Sequence, residues 1–299
     1  SLTGGTTVDL NVTAGGNLTA NSVSGAGAVT LLNSSALAGQ GAVTIGGTGL
    51  SSTGSTVSIT SGANGDIVVN AAAPVVGNGN VTLLTGANGN IDLSAGTSST
   101  NGALSLTSGS GVTNNITIAT GVTASGATTT SVTAPILNVN GTGVVRAVAN
   151  DLSVASNGAG NALTVNLGAT ALLQSTNANV VFNTVAKQGA ITMLGGNGNI
   201  SAGGATPLVT LNGGSGNAVD VNVNSIVGCV GGTGDPFSVQ VASGILSAGS
   251  ITTAGLLTLN NTGGNIVFCA NCTSTAGSIS ATTTAANSIT VNSGVTVQG

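Results

Sequence analysis

One short phrase governs this chain. An apolar, a polar and an apolar residue alternate, bounded by glycine and asparagine, and the phrase returns from end to end. It appears as Ala28-Val-Thr-Leu-Leu32, Thr56-Val-Ser-Ile59, Asn80-Val-Thr-Leu-Leu84, Asn90-Ile-Asp-Leu93, Ala103-Leu-Ser-Leu106, Ala162-Leu-Thr-Val165, Asn265-Ile-Val-Phe268 and Ser288-Ile-Thr-Val291. Period-two alternation places both apolar side chains on one face of an extended strand. The β-branched residues that fill the phrase suit a half-buried pleated surface. Between phrases lie Gly77-Asn-Gly79, Ala87-Asn-Gly89 and Gly195-Gly-Asn-Gly198, residues that turn a chain by accepting positive φ. No apolar stripe of helical period is present, and glycine interrupts every window of helical length.

Phrases starting near Val57, Ile67, Val81, Ile91, Leu104 and Ile116 lie roughly ten to fourteen residues apart, so two steps give a coil of about twenty to twenty-five residues. The fold class expected is all-β, a single-chain parallel β-helix (β-solenoid) running continuously over 1–299. Composition supports this. The chain is 3% charged and 1% aromatic, with 50 Gly and no Trp, yet it is 40% hydrophobic with a net charge of only −4. It has apolar surface to bury and little charge to resist collapse, which argues against disorder. Small apolar residues make a thin core, as in a solenoid whose coils bury a few inward side chains against their neighbours. A sandwich needs larger residues to span about 10 Å between sheets. A membrane barrel needs aromatic girdles and strands of about ten residues.

Pro74, Pro135 and Pro207 each precede a strand phrase, where a missing N–H costs little. Residues 228–238, with Pro236, Asp235 and no alternation, are expected to form a protruding loop.

Segments such as Gly79-Asn-Val-Thr-Leu-Leu-Thr-Gly-Ala-Asn-Gly-Asn-Ile-Asp-Leu-Ser-Ala95, with Gly264-Asn-Ile-Val-Phe268 and Ala276-Gly-Ser-Ile-Ser-Ala281, resemble the repeats of filamentous-haemagglutinin-type adhesins. They are similar too to the wider class of secreted bacterial beta strand repeat proteins. The resemblance covers nearly the whole chain. It implies a right-handed parallel β-helix at a cell surface, serving adhesion or acting as a stalk. Charge here is lower than such stalks usually carry.

Function classes narrow by chemistry. General acid–base catalysis needs His, paired carboxylates or a tuned Lys, whereas this chain has no His, no Glu and six scattered Asp at 9, 66, 92, 151, 220 and 235. Enzymatic activity is not expected, and a polysaccharide-active β-helix is the remote alternative. With only Arg146 and Lys187 as cations, a nucleic-acid footprint is not expected either. No run approaches the roughly 20 apolar residues of a membrane-spanning helix. Gly62-Ala-Asn-Gly-Asp66 and Gly86-Ala-Asn-Gly-Asn-Ile-Asp92 faintly resemble calcium-binding β-roll repeats, but most copies carry Asn or Ala where a carboxylate is wanted. Asn and Asp are read there as turn residues; no cofactor or metal is expected. Outward Thr could order water on a flat face, but Ser, Asp and Asn interrupt it.

Three cysteines remain. Cys229 and Cys269 are forty residues apart, about two coils, which places their Cα atoms roughly 10 Å apart, beyond disulfide reach. That favours a local Cys269–Cys272 disulfide, with Cys229 free or paired between molecules. Sequons stand at Asn11, Asn17, Asn33, Asn80, Asn115, Asn199, Asn260 and Asn271, glycosylation sites if the source modifies them.

The first residue is Ser1, not Met, and no secretory segment opens the chain; a mature or excised, secreted, extracellular or cell-surface chain is expected. Neither end reads as a cap. Uncapped strand edges favour addition of another strand, so the expected partner is a second copy joined head to tail in a surface filament. The alternative is a shaft segment of a large adhesin that meets surface glycans, host or abiotic surfaces. So few titrating groups also predict a stability that hardly responds to pH.

Overall fold

The structure, a computed structural model, describes residues 2–13, 15–37, 39–158 and 162–299. It is a β-solenoid of about a dozen coils. Each strand pairs in parallel with its counterpart one coil away, forming one 15-stranded and one 20-stranded sheet. One regular coil shows the plan. Val81–Leu84, Ile91–Leu93 and Thr97–Ser99 form three sides, and Leu104–Thr107 then stacks on the first, Leu104 against Val81.

Alternation decides what faces inward. In Leu104–Thr107, Leu104 and Leu106 are fully buried while Ser105 and Thr107 stay partly exposed. The inward column on this side runs Val57, Val81, Leu104, Thr130, Leu152, Val180, Val209. Each fully buried Val, Leu or Ile contributes about 1.5–3 kcal/mol, so coils of small residues hold together by number. Phe182 and Phe237 are the bulkiest fully buried side chains.

Coil length varies more widely than the phrase spacing suggests. Stacked partners lie 18 residues apart at Val230 and Ala248 and 29 apart at Val180 and Val209. The corners absorb the difference. Pro74, Pro135 and Pro207 each sit one residue before a strand, at Val75, Ile136 and Leu208.

The solenoid does not keep one cross-section. Near the N-terminus the second and third sides are a single bent strand, Val43–Ser52, which the next coil resolves into Ile67–Val69 and Val75–Gly77. Those three sides continue as far as the strand Ser225–Val227, where the third side ends. The next coil has only two sides, Cys229–Thr233 and Phe237–Val241. The strand Leu246–Thr253 then bends at Gly249 and Ser250, and its two halves carry Ile266–Phe268 and Cys272–Ser274. A third side thus reappears on the opposite flank: before the flattened coil it precedes the first side in chain order, afterwards it follows it.

Residues 228–238 are therefore not a protruding loop. They contain one whole strand and the start of another, Cys229–Thr233 stacking on Leu208–Asn212 and Phe237–Val241 on Val219–Val223. The sequence Cys229-Val-Gly-Gly-Thr233 lacks alternation because neighbouring ladders, not its own side chains, hold it extended.

A candidate binding groove at the change of cross-section

Cysteine geometry follows from the flattened coil. Cys229 and Cys269 form a disulfide, and Cys272 keeps a buried free thiol. This corrects the expectation of a Cys269–Cys272 bridge with Cys229 free. Two physical facts account for it. Cys272 points inward as the first residue of Cys272–Ser274, fully buried, while Cys269 lies at the preceding corner, partly exposed. The two sulfurs therefore belong to opposite sides of the wall. Around the bend at Gly249 and Ser250 the register also shifts, and the Cα atoms of Cys229 and Cys269 stand 6.6 Å apart, closer than two regular coil steps.

Three concavities adjoin one another here. One of about 400 Å³ is lined by Pro207, Leu208, Cys229, Ser250 and Cys269. A second, about 260 Å³, shares Leu208, Cys229 and Ser250 and reaches Thr233. The third, about 410 Å³, runs from Thr233 past Thr252, Thr253 and Thr275 to Lys187. Together they make a shallow groove across the wall where the third side changes flank.

Lys187 reaches this groove from a single 3-10 turn, Val185–Lys187, in which Ala186 (φ 50°) and Lys187 (φ 54°) both adopt left-handed backbone without being glycine. Such conformations cost on the order of 1–3 kcal/mol each and persist only where surroundings enforce them. Gly214 is part of the enforcement: its φ is +90°, and a Cβ there would collide with the Lys187 carbonyl oxygen. Thr253, whose buried hydroxyl has no hydrogen-bond partner, lines the same stretch. The groove offers one ammonium, several hydroxyls and backbone opened by glycine. That chemistry suits a polyhydroxylated or anionic ligand held by hydrogen bonds. No Asp or Glu is among the described residues that line it.

The six aspartates are mostly kept apart. Asp66 and Asp92, on adjacent coils, are near enough to interact: burial first, and then the charge of Asp66, push the Asp92 carboxyl above its ordinary range, opposed by a hydrogen bond from Thr117. Among the described residues no three His, Cys, Asp or Glu come together as a metal site.

The Asn and Asp residues have a role that phrase reading alone does not give. An Asx just before a strand accepts, through Oδ1, the backbone N–H of its counterpart on the next coil. Asp66 does so from Asn90 at 2.7 Å, Asn90 from Asn115 at 2.9 Å, Asn80 from Ala103 at 2.9 Å and Asn179 from Leu208 at 3.1 Å. Asn17, Asp151, Asn265 and Asn271 make the same link. The signal in the sequence is an Asx immediately preceding a strand phrase, as in Asn80-Val-Thr-Leu83, Asn90-Ile-Asp-Leu93 and Asp151-Leu-Ser-Val154. Among the sequons, Asn11, Asn17, Asn80 and Asn271 are exposed and Asn115, Asn199 and Asn260 half-buried. Asn33 is buried, and its amide nitrogen donates to the carbonyls of Gly16 and Ala42, so it is not open to glycan attachment.

Comparison with protein-family models, curated proteins and solved structures found no match to this chain.

Proposed function

We propose that this chain is an extracellular structural protein, a non-catalytic rod that joins further copies of itself end to end into a surface filament. The observation that carries this reading is the state of the terminal coils. In the last coil Ile289 and Val291 are 46% and 50% exposed, although they stack on Ile266 and Phe268, which are buried. At the other end Leu2, stacked on the buried Val23, is exposed. Inward-facing apolar residues on strands with an unpaired outer edge have the chemistry that a further coil would satisfy, supplied by a second copy or by continuation of the same chain in a longer adhesin. An oxidising exterior accords with the Cys229–Cys269 disulfide, and surface use accords with the resemblance to adhesin repeats.

Electron microscopy of the purified chain over a dilution series tests the proposal. Filaments whose axial repeat is near one rod length, shortening on dilution, are the expected result. Separate rods at every concentration would overturn it. The second reading, a shaft segment of a large adhesin, is favoured by the groove around Lys187 and Thr275, and binding of glycans or surfaces by isolated rods would support it.

A further inference from the structure

We infer that the Cys229–Cys269 disulfide clamps a weak seam at the flattened coil, and that its reduction releases the coils beyond, residues 246–299, as a unit. The argument begins with the ladders. A regular coil is tied to the next along three sides. Through the flattened coil there are two, Cys229–Thr233 on Leu246–Thr253 and Phe237–Val241 on Leu257–Asn261. The third ladder has already ended at Ser225–Val227. Val227, at the end of that last third-side strand, is 54% exposed. In a solenoid each coil is stabilised only by its immediate neighbours, so the coil at which one ladder ends and another shifts register, between Val230 and Gly232, is where local opening is expected to begin.

The disulfide acts on that seam from outside the nearest-neighbour rule. It connects the strand entering the flattened coil to the corner after Ile266–Phe268, passing over the intervening strand Leu246–Thr253. Opening the seam with the bond intact leaves the two sections tethered across it. Both half-cystines are partly exposed beside a surface concavity of about 400 Å³, so a reductant can reach them. A dithiol reductant supplies two electrons and two protons: the sulfur–sulfur bond breaks, Cys229 and Cys269 become thiols, and the dithiol closes to its own disulfide. Cys272 cannot take over as partner without leaving the core, where it is fully buried.

Hydrogen exchange read by mass spectrometry on the folded, oxidised chain, before and after addition of a dithiol, tests the inference. Amides in 246–299 are expected to exchange several hundredfold faster after reduction, as loss of a bridge closing a loop of this size implies, while those in 57–200 keep their rates. A Cys272→Ala chain should respond in the same way, and a Cys229→Ser/Cys269→Ser chain should start in the released state without reductant. Unchanged exchange in 246–299, or acceleration spread evenly over the whole rod, would overturn it. Because reduction is applied after folding, failure of the double variant to fold leaves the test intact.

Discussion

Asn33 shows what a corner residue must do in a fold with almost no charge. Its side chain is buried, its Nδ2 donates to Gly16 and Ala42, and its Oδ1 accepts from the Ser35 N–H. Asn33→Ala strips partners from three backbone groups, and a loss of about 1–3 kcal/mol is expected, measured as a lower urea midpoint. Phe182 tests the opposite kind of contact: Phe182→Ala should cost about 3–5 kcal/mol, against near-neutral Ser105→Ala on the outer surface. Asp92 tests electrostatics. Its raised carboxyl means that the folded chain holds that proton more tightly than the unfolded chain does. Its unfavourable contribution is therefore greatest above the raised value and disappears below the ordinary carboxylate range. Asp92→Asn should raise the unfolding midpoint at neutral pH and leave it nearly unchanged at about pH 3. If the two chains responded identically to pH, the burial of Asp92 would have no energetic weight.

At the scale of elements, strands were legible and one junction was not. Alternation alone identifies Leu104 and Leu106, or Ile91 and Leu93, as inward pairs, because the side chains that define a strand here also form the core. The strand Cys229–Thr233 defeats that logic. Its two glycines carry no inward side chain, and Gly232 has φ +141° with the Leu211 backbone where a Cβ would go. Its extension is imposed by Leu208–Asn212 on one side and Leu246–Thr253 on the other. The disulfide eludes sequence reading for the same reason: equal coil steps put the two Cα atoms too far apart, whereas register shifts between Val230 and Gly232. Asx links were half-legible, visible as a recurring residue but not as a bond to the next coil. Gly232→Ala should therefore destabilise the chain clearly, whereas Gly5→Ala, with open space around it, should have little effect; paired thermal melts decide.

At the scale of the molecule, about a dozen coils at about 4.8 Å each make a rod on the order of 60 Å long. Small-angle scattering from separated rods should give that length, and a compact sphere of equal mass would contradict the fold. Every ladder runs along the axis, so a rod of this kind resists stretching and bending with whatever its walls supply. A three-walled tube is stiff in all directions, whereas a two-walled section is a slab, and a slab yields about its thin axis. The flattened coil therefore gives the rod a single preferred plane of flexure near residues 229–248. The disulfide lies as a strap along one face of that slab. Strapped on one face only, the rod should bow toward the bridge more easily than away from it.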